Sequence, residues 1–548
     1  MKKHNAVKVV LITMLIFMLL TWILPAAYYS SEYVDQGRVQ MGLFDLFNYP
    51  LTALSYFGYI ALFVLVVGGF YGILYKIPAY RSFLDKIVAK FVGKEKIVLS
   101  VIMILLAVIT SICGLQLGLV IFFPMLVSII LLMGYDKIVA ALTLVGSTMI
   151  GIAGTTFAYS NTSIILSVLS LDITSEMFVK VIILIVGLAL LILNTILYIK
   201  KSEVTKKSAM KAEKKVVKMV EEKVVEEEKK DTKTSKAKTT KNTKSSNASK
   251  NSKSNKTTKS TKGTKSSSKS SRKDIKAAVK DEDVIVIKEN IDEENNQYVP
   301  TIVDSAHKIW PLVVSFSVIL VIMILAFIPW SSVFKNTAFE SATTAVTEFE
   351  LFGFPLFGKL LGTVNAFGAW TITDLFFVLA IVILVLVLIY KIKLDDVIDG
   401  FISGAKRAFV PAILVILIYS CLVLVTYHPF QLVIYKAILG LTKGFNVFTS
   451  TIVAALASLF NSDPSYAFQS ALPYLTSVVT NSENYSIIAV VFQSIYGLTM
   501  LVAPTSLILM GVLSYLGVSY KKWLKTIWKL VVEFLVVLLI IFTIIVLI

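Results

Sequence analysis

Nine residues of this 548-residue chain carry side chains that could bind or exchange an ion, and all sit at interruptions of otherwise apolar sequence. They are Gln116, Thr155, Thr156, Asn161, Asn461, Ser462, Asp463, Thr505 and Ser506. Eight are short neutral hydroxyls and amides, and one is a carboxylate. Groups of this kind ligate a small cation, accept a proton, or hydrogen-bond a carboxylate; they do not make a covalent catalyst. No nucleophile–base pair accompanies them, and no G-x-x-x-x-G-K-[ST] stretch supplies an ATP motor. Cys113 and Cys421 lie in separate apolar runs, and the three histidines, His4, His307 and His428, are scattered. Neither a disulfide framework nor a structural metal site is expected from them, and no cofactor is implied.

The elements that must position these residues are membrane spans. The chain is 56% hydrophobic and 16% charged, with a mean hydropathy of +0.79. Soluble domains average about 45–50% apolar and about 25% charged residues. Val9–Leu24, Ile97–Ile112, Val181–Leu197, Leu312–Ile328, Phe376–Ile389 and Leu530–Ile548 are nearly free of charge. About 20 apolar residues suffice to cross ~30 Å of hydrocarbon. A polytopic membrane protein follows, and soluble enzymes, secreted factors and transcription factors are excluded. Lys2, Lys3 and Lys8 before an apolar run that ends in Pro25-Ala26-Ala27 imitate a signal peptide, but the length of the run favours an uncleaved first span.

Basic loops fix the expected orientation, since Lys and Arg stay cytoplasmic. The N-terminus is inside, Ser30–Asn48 outside, and a second span at about Ala53–Tyr75 returns to an amphipathic stretch with Lys86, Lys90, Lys94 and Lys96. Ile97–Gly134 is short for two spans and a loop. It is read as a re-entrant hairpin interrupted at Cys113–Gly118, with two short spans as the alternative. Ile138–Leu171 is one span broken near Gly146-Ser147-Thr148 and Gly151–Thr156, and Val179–Ile199 returns. Spans at Ile309–Trp330, Thr371–Tyr390 and Phe409–Tyr427 follow. Val447–Thr480 repeats the hairpin with its interruption at Asn461-Ser462-Asp463-Pro464-Ser465, and Ser486–Leu516 is broken at Ala503-Pro504-Thr505-Ser506. The expectation is an all-α fold of about nine full spans, two re-entrant hairpins and two broken helices, with an external C-terminus. Its parts are a first membrane repeat (1–201), an insert (202–306), and a linking span plus second repeat (307–548).

The net charge of +18 is concentrated. Ser202–Ala306 holds 26 basic and 17 acidic residues, and Lys233–Lys273 is almost entirely Lys, Ser, Thr and Asn. Such a segment cannot bury enough apolar surface to offset chain entropy, so the insert is read as a disordered cytoplasmic linker. Without interleaved aromatics it is not expected to bind nucleic acid.

Two stretches share the pattern G-x-T-x5-T-S-x-I-L: Gly154-Thr155-Thr156 through Leu166, and Gly497-Leu498-Thr499 through Leu509. Pro124 and Pro473 follow the two hairpin tips. Each match falls in a broken span directly after a hairpin, and the first span runs outward while the second runs inward. That is an inverted-topology repeat, an architecture of many secondary transporters. Broken backbone is tolerated at membrane depth only where protein or a watery cavity covers it. Half-helix N-termini there suit carboxylates, and freed carbonyls suit cations. Asp463 is the acidic residue at a hairpin tip. It is either an ion or ammonium ligand, with Na+ at Asn461 and Asp463 as one arrangement, or a cap on the following helix.

Three stretches make the chain resemble the anaerobic C4-dicarboxylate carrier family, in its YfcC-like branch within the ion transporter superfamily. They are Gly69-Phe70-Tyr71-Gly72-Ile73-Leu74, Leu132-Met133-Gly134-Tyr135-Asp136-Lys137-Ile138, and Phe492-Gln493 through Gly497 and Ala503-Pro504-Thr505-Ser506 to Val518–Lys525. The resemblance covers both membrane halves and not the insert. It implies a plasma-membrane secondary carrier, by ion-coupled symport or exchange, for C4-dicarboxylates, other organic anions or amino acids, with Na+ or H+ as coupling ion. A basic amino acid antiporter of the same family is the alternative. From another class, a non-transporting scaffold or receptor would use the basic insert. A homodimer is left open. Leu115-Gln116-Leu117 departs from the acidic first tip of such relatives, which leaves substrate charge and coupling ion open.

Two outcomes test this reading. Deleting Lys233–Lys273 is expected to leave folding and transport intact, and loss of detergent-stable protein would refute the linker. A thiol at Ser249→Cys should resist an impermeant label in intact cells while Ser482→Cys reacts; external labelling of the former would overturn the orientation.

Overall fold

The computed structural model describes residues 5–202, 291–292, 297–298, 308–442, 444–479 and 481–547. The expected disorder of the insert lies outside them. The chain divides into a membrane body, Met1–Ile196 with Asp292–Ile548, and a second unit, Leu197–Ile291. Seven helices are long and apolar enough to cross a membrane among the described residues. Together with the shorter apolar helices they make the all-α, multi-pass fold of two repeats.

The first repeat begins with α1 (Asn5–Ile23), a strand pair (β1, Ala26–Tyr29; β2, Tyr33–Gly37) and α2 (Asp45–Leu74). Next come α3 (Pro78–Lys90), a hairpin of α4 (Glu95–Cys113) and α5 (Phe123–Leu132), and a broken helix of α6 (Lys137–Ala153) and α7 (Tyr159–Leu169). α8 (Met177–Ser202) follows, and α9 (Trp310–Phe327) and α10 (Asp374–Tyr390) lead to the second repeat. That repeat has α11 (Leu394–Tyr427), α12 (Gln431–Leu439), a hairpin of α13 (Val447–Phe460) and α14 (Pro464–Val478), a broken helix of α15 (Tyr485–Met500) and α16 (Leu507–Leu516), and α17 (Tyr520–Leu547).

Both hairpins return to the side they leave. α4 ends at Gly114, whose φ of 69° is left-handed and stops the helix. α5 then comes back against α3, the helix that precedes α4. In the second hairpin α14 returns against α12. Pro464 is the first residue of α14, and Pro124 is the second of α5. Pro473, matched to Pro124 in the sequence, lies inside α14 instead. Among the described residues, α6–α7, α8, α9, α10 and α11 lie between the two hairpins along the chain.

The inversion is visible directly where α2 meets α11. Tyr49 hydrogen-bonds His428 at 2.6 Å, the Phe57 and Tyr419 rings stack at 3.9 Å, Gly68 abuts Gly404, and Gly72 abuts Gly400. As one number rises the other falls, so the helices are antiparallel. Lipid offers no hydrophobic drive between spans, and close backbone approach at small residues supplies the attraction. A Cβ on Gly72 would lie 2.0 Å from the Gly400 carbonyl oxygen. α11 is continuous over 34 residues, about 51 Å at ~1.5 Å per residue, so the expected surface piece and span are one rod. Across the body, the Asn194 amide of α8 donates to Glu533 of α17 at 2.7 Å, a polar link between spans.

The break pattern is simpler than the sequence suggests. α6 continues through Gly146-Ser147-Thr148 by way of a π turn at Leu142–Gly146, and the true break is 154–158. The shared pattern is also out of register with the breaks. Gly154 ends α6, whereas Gly497 lies inside α15, where a Cβ would meet the Ala153 nitrogen at 2.5 Å.

Gly72→Leu is expected to lower Tm in detergent markedly, since overpacking costs about 1–3 kcal/mol and here strikes backbone. Gly511→Ala in α16, with open space around it, should leave Tm level or raise it, because Ala gains ~0.8–1 kcal/mol in helix propensity. Equal Tm values for the two variants would remove the α2–α11 contact from its central place.

Candidate functional site

Each hairpin tip is tied to the broken helix of its own repeat. In the first, the Ser111 hydroxyl donates to the Gly154 carbonyl at 2.6 Å, and the Thr156 amide donates to the Ser111 carbonyl at 2.9 Å. Gly114 brings the tip so close to α7 that a Cβ there would sit 2.3 Å from Ser160 Oγ. Gln116 Nε2 donates to Asn161 Oδ1 at 3.1 Å. In the second, the Thr505 hydroxyl donates to the Leu459 carbonyl at 2.8 Å, and the Tyr496 hydroxyl to the Ser462 carbonyl at 2.9 Å. The broken helices are in turn joined to each other. Ser494 donates to the Ala153 carbonyl at 3.0 Å, and Gln493 Nε2 to the Thr155 carbonyl at 2.8 Å.

These bonds occupy the C-terminal ends of the broken helices. The carbonyls of Ala153, Gly154 and Thr155 at the end of α6 all accept side-chain donors. At the end of α15, the Leu501 carbonyl accepts from Trp523 Nε1 at 2.8 Å and the Val502 carbonyl from the Tyr520 hydroxyl. Orphan carbonyls at a helix end need such partners when water is absent. Of the inner ends of the broken helices, those that remain for a ligand are the N-terminal, partly positive ones.

Those ends converge. A cavity of about 280 Å³ lies between the tips and is lined by Gly114–Gly118 and Ser462–Ser465 together with first-turn residues of α7 (Ser160, Asn161), α14 (Pro464, Ser465) and α16 (Leu507, Ile508). Met149, Tyr419, Tyr496, Met500, Ser506 and Trp370 are also part of the wall. Asp463 is the single charged residue in the lining, which contains no Lys, Arg or His. Its Oδ1 accepts the Ser465 amide at 2.9 Å, so it caps α14 while also facing the cavity. The phenols of Tyr59, Tyr419, Tyr466 and Tyr496 lie in electrostatic reach of its carboxylate. Two buried polar atoms in the wall have no protein partner, Asn161 Nδ2 and Ser462 Oγ.

The nine sequence candidates thus divide. Gln116, Asn161, Ser462, Asp463 and Ser506 line one cavity. Thr155, Thr156, Asn461 and Thr505 do not; they hold the breaks. Asn461 is 2% exposed and its Nδ2 donates to the Ala457 carbonyl at 2.9 Å, closing α13. Ser111 carries no signal in the sequence, whereas Gln493, Ser494 and Tyr496 lie within the stretch that carries the family resemblance. Tyr419 and Trp370 have no local signal, since they reach the cavity from remote helices and loops. No cluster of three or more His, Cys, Asp or Glu suited to a metal exists among the described residues.

No curated protein matches the chain. Among solved structures it is similar to the YdaH transporter of Alcanivorax borkumensis, with 12% identity, 98% of each chain covered and a TM-score of 0.37. The sequence model of the C4-dicarboxylate anaerobic carriers matches residues 4–241 and 288–548. With nearly the whole membrane body matched, the chain belongs to the C4-dicarboxylate anaerobic carrier family.

Proposed function

We propose that the protein is a cation-coupled secondary carrier that binds a small carboxylate-bearing metabolite, a C4-dicarboxylate or an amino acid, in the cavity between the two hairpin tips. The observation that carries this reading is the meeting of both tips and three helix N-termini on one cavity whose lining holds a single carboxylate. Helix N-termini attract carboxylates through their free amides and dipoles. Asp463 supplies the opposite sign and is assigned the coupling cation, Na+ or a proton. The cavity is smaller than the ~300–1,000 Å³ of drug-sized sites, which suits a metabolite of a few carbons.

The tie between each tip and its own broken helix supports movement of a hairpin and broken helix as one unit. The α2–α11 contact is the fixed member against which such units rock, as alternating access requires. The transported molecule crosses unaltered, so no bond is made or broken and no cofactor is needed.

Asp463→Asn separates the two roles of this residue. Asn caps a helix about as well as Asp, so the variant should fold with near-unchanged Tm. As a cation ligand it acts by charge, so substrate flux into liposomes should be lost or become independent of the Na+ or proton gradient. Wild-type flux and coupling would take Asp463 out of the site, and absence of any flux from the wild-type protein would favour a scaffold.

A further inference from the structure

The segment between α9 and α10 exposes apolar side chains that no neighbouring element covers. It holds three short helices, Trp330–Phe334, Ala338–Thr347 and Leu356–Leu361, and none of them has a buried residue. Leu351–Leu361 nevertheless reads Leu-Phe-Gly-Phe-Pro-Leu-Phe-Gly-Lys-Leu-Leu, with seven large apolar residues and one charge. Six of the seven are exposed, from Leu361 at 38% to Leu360 at 74% and Phe352 at 100%. The tip is a tight turn. The Leu351 amide donates to the Phe354 carbonyl at 2.8 Å, and the Phe354 amide to the Leu351 carbonyl at 3.1 Å. Between them Phe352 and Gly353 both have positive φ, 53° and 77°. Such turns favour Asn-Gly, and a bulky aromatic at the first position is strained. A strained, wholly exposed phenylalanine is unfavourable in water, and apolar surroundings would offset its cost.

The surroundings of this turn are those of a membrane surface. The segment leaves at the end of α9 and re-enters at the start of α10, and its two feet touch, the Gly368 amide donating to the Ala326 carbonyl at 2.9 Å. Both helices present apolar side chains outward, Val314, Val318 and Val321 on α9 and Phe377, Leu384 and Leu388 on α10. The turn thus continues, along the chain, a surface that hydrocarbon covers. Aromatic rings mark the boundary. Trp330, Phe339, Phe367 and Trp370 form a chain of ring contacts with centroids 5.3, 5.7 and 5.0 Å apart, and Trp is enriched where spans meet headgroups. The polar residues gather elsewhere in the segment, where Glu340, Thr343, Thr344, Thr347, Thr363 and Asn365 share a hollow. A segment with an apolar part and a polar part, bounded by Trp, is of the kind that lies in the interface plane. Lys359 is long enough to keep its ammonium among headgroups while its neighbours are buried.

We infer that Leu351–Leu361 is a finger seated in the lipid leaflet at which α9 ends and α10 begins, with Phe352, Phe354 and Leu360 among the acyl chains and the Glu340 hollow toward water. The partner is the apolar edge of the leaflet. Lys359 is the one cation of the finger and Glu348 and Glu350 precede it, so no excess of positive charge calls for anionic lipid. The contact does not depend on what the cavity carries. It bears on the cavity through its feet, since Phe327, the last residue of α9, and Trp370 both line the wall.

The test uses the full-length protein, one copy per nanodisc of phosphatidylcholine, with bimane on a single introduced thiol at Phe352→Cys, Leu360→Cys or Thr344→Cys. Cys113 and Cys421 are buried, and wild-type protein treated with the same reagent gives the background. Quenching is measured with nitroxide carried on the lipid acyl chains and with iodide in the water. Bimane at Phe352→Cys and Leu360→Cys should lose about half or more of its emission to the lipid nitroxide and little to iodide, as for side chains seated ~5–10 Å into the headgroup and acyl boundary. Bimane at Thr344→Cys should show the reverse. Adding Phe352→Asp and Phe354→Asp to the Leu360→Cys protein should bring its nitroxide quenching down to the level of Thr344→Cys, and a Tm near that of wild type establishes that this variant folds. Iodide quenching without nitroxide quenching at Phe352→Cys and Leu360→Cys would overturn the inference by placing the finger in water. Shielding from both quenchers would overturn it by showing that protein, this chain or a second copy, covers the patch. Undiminished nitroxide quenching in the folded aspartate variant would overturn the assignment of Phe352 and Phe354 to the acyl chains.

Discussion

The antiparallel contact of α2 with α11 is the constraint on which the rest of the structure depends. Gly68 and Gly72 face Gly404 and Gly400 with no room for a Cβ between them. In a bilayer this closeness replaces the hydrophobic effect as the force that joins spans. Because the helices are counterparts in two repeats of opposite sense, their contact joins the two repeats directly. The hairpins that follow each rod then enter from opposite sides, and their tips meet. The Tyr71 hydroxyl of α2 donates to the Ile121 carbonyl at 2.7 Å, a contact between this rod and the first hairpin.

A second constraint is that every broken helix inside a membrane must satisfy its own loose ends. Here the repeats satisfy one another. Ser494 and Gln493 of the second repeat bond carbonyls at the end of α6, and α17 covers the end of α15 through Trp523 and Tyr520. With the negative ends occupied, the N-terminal ends give the cavity its character. A site that began as two symmetric breaks thus becomes asymmetric in charge. The charged residue of the lining, Asp463, comes from the second repeat, and the first repeat contributes none.

Several features of the fold were beyond local reading for identifiable reasons. The β1–β2 pair joins four residues with five, too few for a signal of alternation, and is anchored by the Ala27 amide on the Pro429 carbonyl far along the chain. Hydropathy divides α11 at its charged segment, because it reports the membrane boundary and not the helix end. The shared G-x-T pattern located the two broken spans but not their equivalent positions, since glycine serves a helix end at Gly154 and a helix crossing at Gly497.

What the amino-acid sequence determined by itself is whatever follows from apolar length, charge and helix-breaking residues. Those are the membrane class, the two hairpins, the two broken spans and Asp463 at a tip. Each depends on neighbours within a turn or two. Which of nine similar hydroxyl and amide residues face a ligand was decided only by the tertiary structure. Thr155 and Asn161, or Asn461 and Ser462, differ little in kind. They are sorted by whether another repeat's backbone or an open cavity happens to lie opposite, and that depends on how the two halves pack around α2 and α11.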